Sequence, residues 1–138
     1  MKIDPIQNGV VIDHITAGKG MLLYELLHLE SLDASIALIK NVASKRIEKK
    51  DIIKIDADIT VDLNVIGYVD PGATVNYIKD GKLIKKCNID LPEQLVGVIK
   101  CKNPRCITST EQELKHVFKL TDKEQKVYRC IYCEAKSE

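Results

Sequence analysis

The sequence predicts an α+β chain in two parts, and three observations predict it. Short β-like runs alternate with two stretches of helical spacing over residues 1–90. An Asp-Gly pair, Asp80-Gly81, sits between two of those runs as a hairpin signal. The last third then changes character: it holds four of the five cysteines and little aliphatic content. Leu91-Pro92-Glu93 is the expected joint, because proline punctuates regular structure.

In chain order, Gly9 to Ile15 opens with a turn and runs as an apolar strand. Asp13 and His14 at its end are unusual, since charged groups are costly in a buried strand. Gly18-Lys19-Gly20 breaks the chain and, opening a helix, gives a weak signal for phosphate. Met21 to Leu29 has Leu22, Leu23, Leu26, Leu27 and Leu29 at helical spacing. Ser35 to Val42 is a second strand, Ser44 to Lys50 a polar, basic loop, and Asp51 to Asp56 a third strand. Thr60 to Val69 is a second helix, with Thr60 or Asp58 as its N-cap. Asp70-Pro71-Gly72 ends it, Ala73 to Ile78 is a fourth strand, and Leu83 to Cys87 returns after the Lys79–Lys82 turn. This order gives one mostly antiparallel sheet with two helices on one face, a ferredoxin-like sandwich whose other face is open. Beyond residue 91, Leu95–Ile99, Val117–Leu120 and Val127–Cys130 read as strands of a small all-β, zinc-ribbon-like domain.

The cysteines carry the sharpest chemical signal. Cys101 and Cys106 form one close pair, and after 23 residues Cys130 and Cys133 form another. Two knuckles of this kind suit a tetrahedral Zn²⁺ site. Asn103 and Pro104 let the first one turn. Four thiolates leave no position for water, which makes such a site structural. Two disulfides, or four unrelated thiols, are the alternatives. A 48-residue segment poor in aliphatics needs a staple to fold, and zinc supplies one. The N-terminus lacks the apolar run of a signal peptide, so the expected location is cytoplasmic, where thiols stay reduced. Cys87 stands alone and reads as a small core residue.

Charge excludes more than it selects. The net charge of +1 points neither to nucleic acid nor to an anionic membrane. Residues 1–90 carry 12 Lys/Arg against 13 Asp/Glu, so any basic patch there is local. One group is Lys45, Arg46, Lys49, Lys50 and Lys54; another is Lys79, Lys82, Lys85 and Lys86. Strand alternation puts Lys50 and Lys54 on one face, and Lys82 and Lys86 on one face. Brought together, those faces make a pocket for a polyanion such as a triphosphate; otherwise they are solvated surface lysines. His28 and His116 read as single surface residues.

The order of these segments resembles one family over nearly the whole chain. Val10-Val11-Ile12-Asp13-His14-Ile15, Lys50-Asp51-Ile52-Ile53-Lys54-Ile55, Ala73-Thr74-Val75-Asn76 and the two cysteine knuckles are similar to the regulatory chain of aspartate carbamoyltransferase. The resemblance implies a chain with no catalytic residues of its own. It implies an allosteric domain over 1–90 that binds CTP as inhibitor and ATP as activator, with UTP a further candidate. It implies a zinc domain over 91–138 that docks on the catalytic chain, one structural Zn²⁺ on Cys101, Cys106, Cys130 and Cys133, and a regulatory-chain homodimer. By motif, Asp13 falls near the ribose and His14 near the phosphates. Lys54 falls on the base and ribose side, Lys86 at the triphosphate, and Lys50, Asn76, Ile6 and Val11 around the pocket. The backbone at Gly81 and Leu83 would read an exocyclic amino group. A zinc-ribbon nucleic-acid-binding protein is the alternative function. It lacks a cationic stripe, since residues 91–138 carry 9 Lys/Arg against 7 Asp/Glu. A zinc deaminase ranks last, for want of an open metal position and a His-x-Glu before a cysteine pair.

Overall fold

The computed structural model describes residues 5–43 and 48–137. Lys45 and Arg46 of the first basic group lie outside them. The chain divides into two compact units, residues 1–90 and 91–138.

In the first unit, strands β1 (Gly9–Thr16), β2 (Ser35–Ala43), β3 (Lys49–Asp56), β4 (Thr74–Lys79) and β5 (Lys82–Asn88) form one sheet in the order β2-β3-β1-β4-β5. Every neighbouring pair is antiparallel. Helices α1 (Gly20–Leu26) and α2 (Leu63–Val69) supply the crossovers, which gives the α+β sandwich with β5 added at one edge. Alternation sorts the strands into two faces. Val10, Ile12, Ile53, Ile55 and Val75 are fully buried with Leu23 of α1 and Ile66 of α2. Residues one step along each strand look out from the opposite face.

Two bulges correct that alternation at one place. β1 gains a residue against β3 between Ile12 and Ile15, and β2 gains one between Ile39 and Val42. His14 (φ 57) and Asn41 (φ 57) take left-handed conformations there. The first bulge switches the inward position from even to odd, so Ile15 is fully buried although it lies an odd number of residues from Ile12. It also explains how charged residues end an apolar strand: Asp13 faces the open side, and His14 is the bulged residue.

Asp51, fully buried on β3, is bonded between the two bulges. Its carboxylate accepts the N–H groups of Gly18 (3.1 Å), Gly20 (3.0 Å) and Asn41 (3.1 Å). The Gly18-Lys19-Gly20 turn therefore folds on an internal carboxylate, and its two glycine amides aim at Asp51 rather than at a phosphate. A β-carbon on Gly20 would stand 2.8 Å from Asp51 Oδ2.

Helix ends differ from the sequence reading. The first helix stops at Leu26 and is followed by a 3₁₀ turn, Leu29–Ser31, after a left-handed His28. The second starts at Leu63, capped by neither Thr60 nor Asp58 but by Asp62, whose side chain accepts from the Asn64 N–H at 2.9 Å. The Asp80-Gly81 turn is a two-residue hairpin with both residues at positive φ (52° and 75°), the geometry that favours this pair. A shift in β5 pairs Tyr77 with Lys85 but Ile78 with Leu83. This extra residue moves Lys82 out of phase with Lys86. The two lysines expected on one face are on opposite faces, and Leu83 takes the position beside Lys86.

In the second unit, β6 (Gln94–Val96), β7 (Val117–Asp122) and β8 (Val127–Cys130) form a three-stranded antiparallel sheet. A four-residue helix, α3 (Ile107–Thr110), follows the first knuckle without a sequence signal. Leu95, Phe118 and Tyr128 are its small buried centre, and the Tyr128 hydroxyl donates to the Pro92 carbonyl.

Candidate functional site: an open-face cation row and a four-cysteine centre

The register of the first sheet lines up four of the candidate residues. Lys54 pairs with Val11, Val11 with Asn76, and Asn76 with Lys86. They form one row across β3, β1, β4 and β5 on the open face. One step along β1, Asp13 meets Lys50, whose ammonium lies 2.9 Å from Asp13 Oδ1. Burial alone would raise the Asp13 carboxyl. The Lys50 ammonium and the His14 N–H, at 2.6 Å, outweigh it and hold the group below the usual carboxylate value. Among the described residues, neither Lys54 nor Lys86 pairs with a carboxylate. Asn76 Oδ1, at the middle of the row, is buried with no hydrogen-bond partner among them. A paired cation, two unpaired cations and an orphaned acceptor on one face are what a polyanion with hydroxyl groups would meet.

His14 holds Thr74 through Nδ1 and the hydroxyl at 3.1 Å, next to Asp13. At the β4–β5 turn, beyond the Lys79–Lys82 pair, the Gly81 N–H donates to the Gln7 carbonyl at 2.9 Å, and the Asp80 N–H to Asn8 Oδ1 at 3.1 Å. These bonds tie the segment carrying Ile6 to the turn carrying Gly81.

The four cysteines converge. Their sulfurs lie within 4.8 Å of one another, with Cys101–Cys133 at 3.6 Å and Cys106–Cys130 at 3.7 Å. A disulfide needs about 2.0 Å. Four sulfurs about 2.3 Å from a central Zn²⁺ stand about 3.8 Å apart, so the cluster has the dimensions of a ZnS₄ centre, and all five cysteines are free thiols.

The knuckles are built locally. Asn103 accepts the Arg105 N–H on its side chain (3.0 Å) and the Cys106 N–H on its carbonyl (3.0 Å). The Thr108 hydroxyl donates to Cys106 Sγ at 3.0 Å. His116, half-buried, accepts the Cys101 N–H on Nδ1 at 2.9 Å. Burial pushes the Cys101 thiol up to about 12 and raises Cys130. The Thr108 hydroxyl lowers Cys106, and the Ala135 N–H brings Cys133 down to about 6. Cys133 thus favours the thiolate on its own near neutral pH, and Cys106 gives up its proton more readily than an ordinary thiol. The other two give up a proton in exchange for a metal.

Sequence reasoning missed Asp51 and His116. Asp51 leaves a trace, as a lone carboxylate inside an apolar strand with glycines positioned to donate to it. His116 leaves none, because its partner is a backbone amide 15 residues away.

Two separate units, one with an unsatisfied polar row on an open sheet and one built on four thiols, define a two-domain chain with a structural metal centre. Comparison with known proteins makes this specific. The family model for the allosteric domain of the aspartate carbamoyltransferase regulatory chain matches residues 1–90, and that for its metal-binding domain matches 93–138. The aspartate carbamoyltransferase regulatory chain of Clostridium tetani is 47% identical over 97% of this chain and 94% of its own length. That of Clostridium acetobutylicum is 46% identical over 97% and 92%. That of Bifidobacterium longum is 44% identical over 100% and 99%. The chain belongs to the family of aspartate carbamoyltransferase regulatory chains. It is a regulatory rather than a catalytic chain, and its cofactor is a structural Zn²⁺. Among the described residues no helix is long and apolar enough to cross a membrane.

Proposed function

We propose that this chain senses nucleoside triphosphates on the open face of its first unit and passes that signal to the catalytic chain of aspartate carbamoyltransferase, which its zinc unit docks. The observation that carries the reading is the row Lys54–Val11–Asn76–Lys86, flanked by the Lys50–Asp13 pair. Lys86 and His14 meet the phosphates and Asp13 accepts from a ribose hydroxyl. Asn76 Oδ1 finds its missing donor on the ligand. Lys54 lies on the base and ribose side, and Lys50, Ile6 and Val11 complete the walls. Carbonyl groups near Gly81 and Leu83 accept from the exocyclic amino group that cytosine and adenine share. CTP acts as the inhibitor and ATP as the activator, with UTP a further ligand.

Cys101, Cys106, Cys130 and Cys133 hold the zinc, which supplies folding stability and no chemistry. Regulation then needs only that nucleotide bind two quaternary states unequally, a coupling of about 1–3 kcal/mol. Regulatory chains pair through the first sheet, and the signal crosses near Leu91-Pro92.

Calorimetric titration of the zinc-loaded chain with CTP and ATP tests the site. Saturable binding that Lys86→Ala and Lys54→Ala each weaken at least tenfold is expected. Binding left intact in both variants would sink the assignment. Gel filtration with catalytic trimers tests docking, and a trimer that retains metal-stripped chain would contradict the zinc unit's role.

A further inference from the structure

The short helix α3 carries three hydroxyls in succession, and they are used differently. Ser109 Oγ donates to the Asn103 carbonyl at 2.7 Å and Thr110 Oγ1 to the Ile107 carbonyl at 3.1 Å. Both residues are exposed, and such bonds to nearby backbone are ordinary for Ser and Thr. Thr108 is 5% exposed, and its hydroxyl donates to Cys106 Sγ, on a residue 1% exposed. The turn itself sets up this contact. The Cys106 carbonyl accepts the Ser109 N–H at 2.9 Å and the Ile107 carbonyl the Glu111 N–H at 2.8 Å, which folds the chain back over the first knuckle. We infer that Thr108 is a positioning residue of the metal centre, its hydroxyl holding Cys106 Sγ as a metal-bound thiolate. The inference rests on the reading of the four cysteines as the zinc ligands and adds a residue to them.

The chemistry of the acceptor gives the contact its direction. A buried hydroxyl out of reach of water needs a partner, and a neutral thiol is a weak one. A thiolate is a strong one, because a hydrogen bond to a charged acceptor is about twice as strong as one between neutral groups. Four thiolates on one Zn²⁺ leave roughly two negative charges on the centre. Three of the four cysteines are buried, and buried charge is costly unless it is hydrogen-bonded. The Thr108 bond is therefore stronger in the loaded centre than in the empty one, and it favours metal retention. Around metal sites, partners of this kind orient a ligand and tune its donation to the ion. This gives α3, which has no sequence signal of its own, a use: it presents one hydroxyl to one sulfur.

The experiment measures two things on the full chain: Zn²⁺ affinity by competition with a chromophoric chelator, and the absorption spectrum after loading with Co²⁺. The variants are Thr108→Val, which keeps the shape and removes the donor, Thr108→Ser, which keeps the donor, and Thr110→Val as a control on the exposed side of α3. Thr108→Val should bind Zn²⁺ about 10- to 100-fold more weakly. Its sulfur-to-Co²⁺ charge-transfer band should move to longer wavelength, because a thiolate relieved of a hydrogen bond gives up electron density more easily. Thr108→Ser and Thr110→Val should keep the wild-type band and an affinity within about threefold of wild type. A Thr108→Val chain with an unmoved band would overturn the inference, whatever its affinity, since packing alone would then explain any loss. So would a Thr108→Ser chain as impaired as Thr108→Val. If Thr108→Val takes up no metal, Thr108→Ser decides: normal loading sustains the role of the hydroxyl, and failure to load overturns it. A wild-type chain whose Co²⁺ spectrum lacks thiolate bands would refute the four-cysteine centre, and the inference with it.

Discussion

Replacing Asp51 with alanine tests the account of the first unit most directly. Three backbone N–H groups from two different segments end on this one carboxylate. Hydrogen bonds to a charged group contribute about 1.5–3 kcal/mol each. Gly18 and Asn41 are exposed and can turn to water when the carboxylate is removed, so their loss is discounted. Gly20 is buried, and its orphaned N–H costs the full desolvation of about 1–3 kcal/mol. Together the loss should be about 3–5 kcal/mol, a large share of the 5–15 kcal/mol typical of a domain. Asp51→Asn keeps one oxygen. Placed at the Oδ2 position it still serves Gly18 and Gly20, while its NH₂ opposes the Asn41 N–H. That variant should lose only about 1–2 kcal/mol. The assay is native-state hydrogen exchange of the zinc-loaded chain, read at the amides of β1 and β3, with urea unfolding beside it. An Asp51→Ala chain within about 1 kcal/mol of wild type, or one no worse than Asp51→Asn, would refute the reasoning.

Gly20→Ala brings a methyl group within 2.8 Å of both Asp51 Oδ2 and Leu38 Cδ1, and should cost about 1–3 kcal/mol by urea unfolding; a variant as stable as wild type would contradict the close packing on Asp51. Chelation of zinc should abolish exchange protection in residues 91–138 while β1 and β3 keep theirs; retained protection around Phe118 and Tyr128 would contradict a metal-dependent core. The Asp13 carboxyl titrates below its ordinary value in the folded chain, so its contribution to stability is present above about pH 4 and is lost as pH falls through the folded pKa. Lys50→Met should raise the Asp13 midpoint in a carboxyl NMR titration, and an unmoved midpoint would remove the ion pair as its cause.

What the sequence made legible is what depends on local period and spacing. Alternation identified the strands because one face of the sheet is buried, and a polar residue there would be costly. Asp80-Gly81 fixed a hairpin because both residues take positive φ, a preference written in the residues themselves. The cysteine knuckles were legible for a similar reason: each is a local turn, and Asn103 closes the first within three residues. Helix ends were less legible. Asp58, Thr60 and Asp62 are all competent caps, and the choice fell to Asp62 through the start of the buried positions, which begin at Val65.

Bulges set the limit, because a bulge is decided by the partner strand. Three register shifts occur in the first sheet, and each moves a side chain that alternation alone would misplace. In β5 the shift separates Lys82 from Lys86, so counting by twos joined the wrong pair. In β1 the shift works in favour of a site: it lets Asp13 face the open side with Val11 while Ile15, two residues on, is buried with Ile12. A strand without the bulge would put Asp13 and Ile15 on the same face. The sheet would then have to bury a carboxylate or expose an isoleucine. The left-handed His14 removes that conflict, and the same kink frees it to hold Thr74 beside Asp13. Asp51 secures the arrangement from the other face, since its carboxylate is bonded to the turn after β1 and to the second bulge at Asn41. The polar row and the apolar core are thus made compatible by the same local departures from regular pairing. The residues responsible, His14, Asn41 and Asp51, are ones whose roles appear only once three strands are side by side.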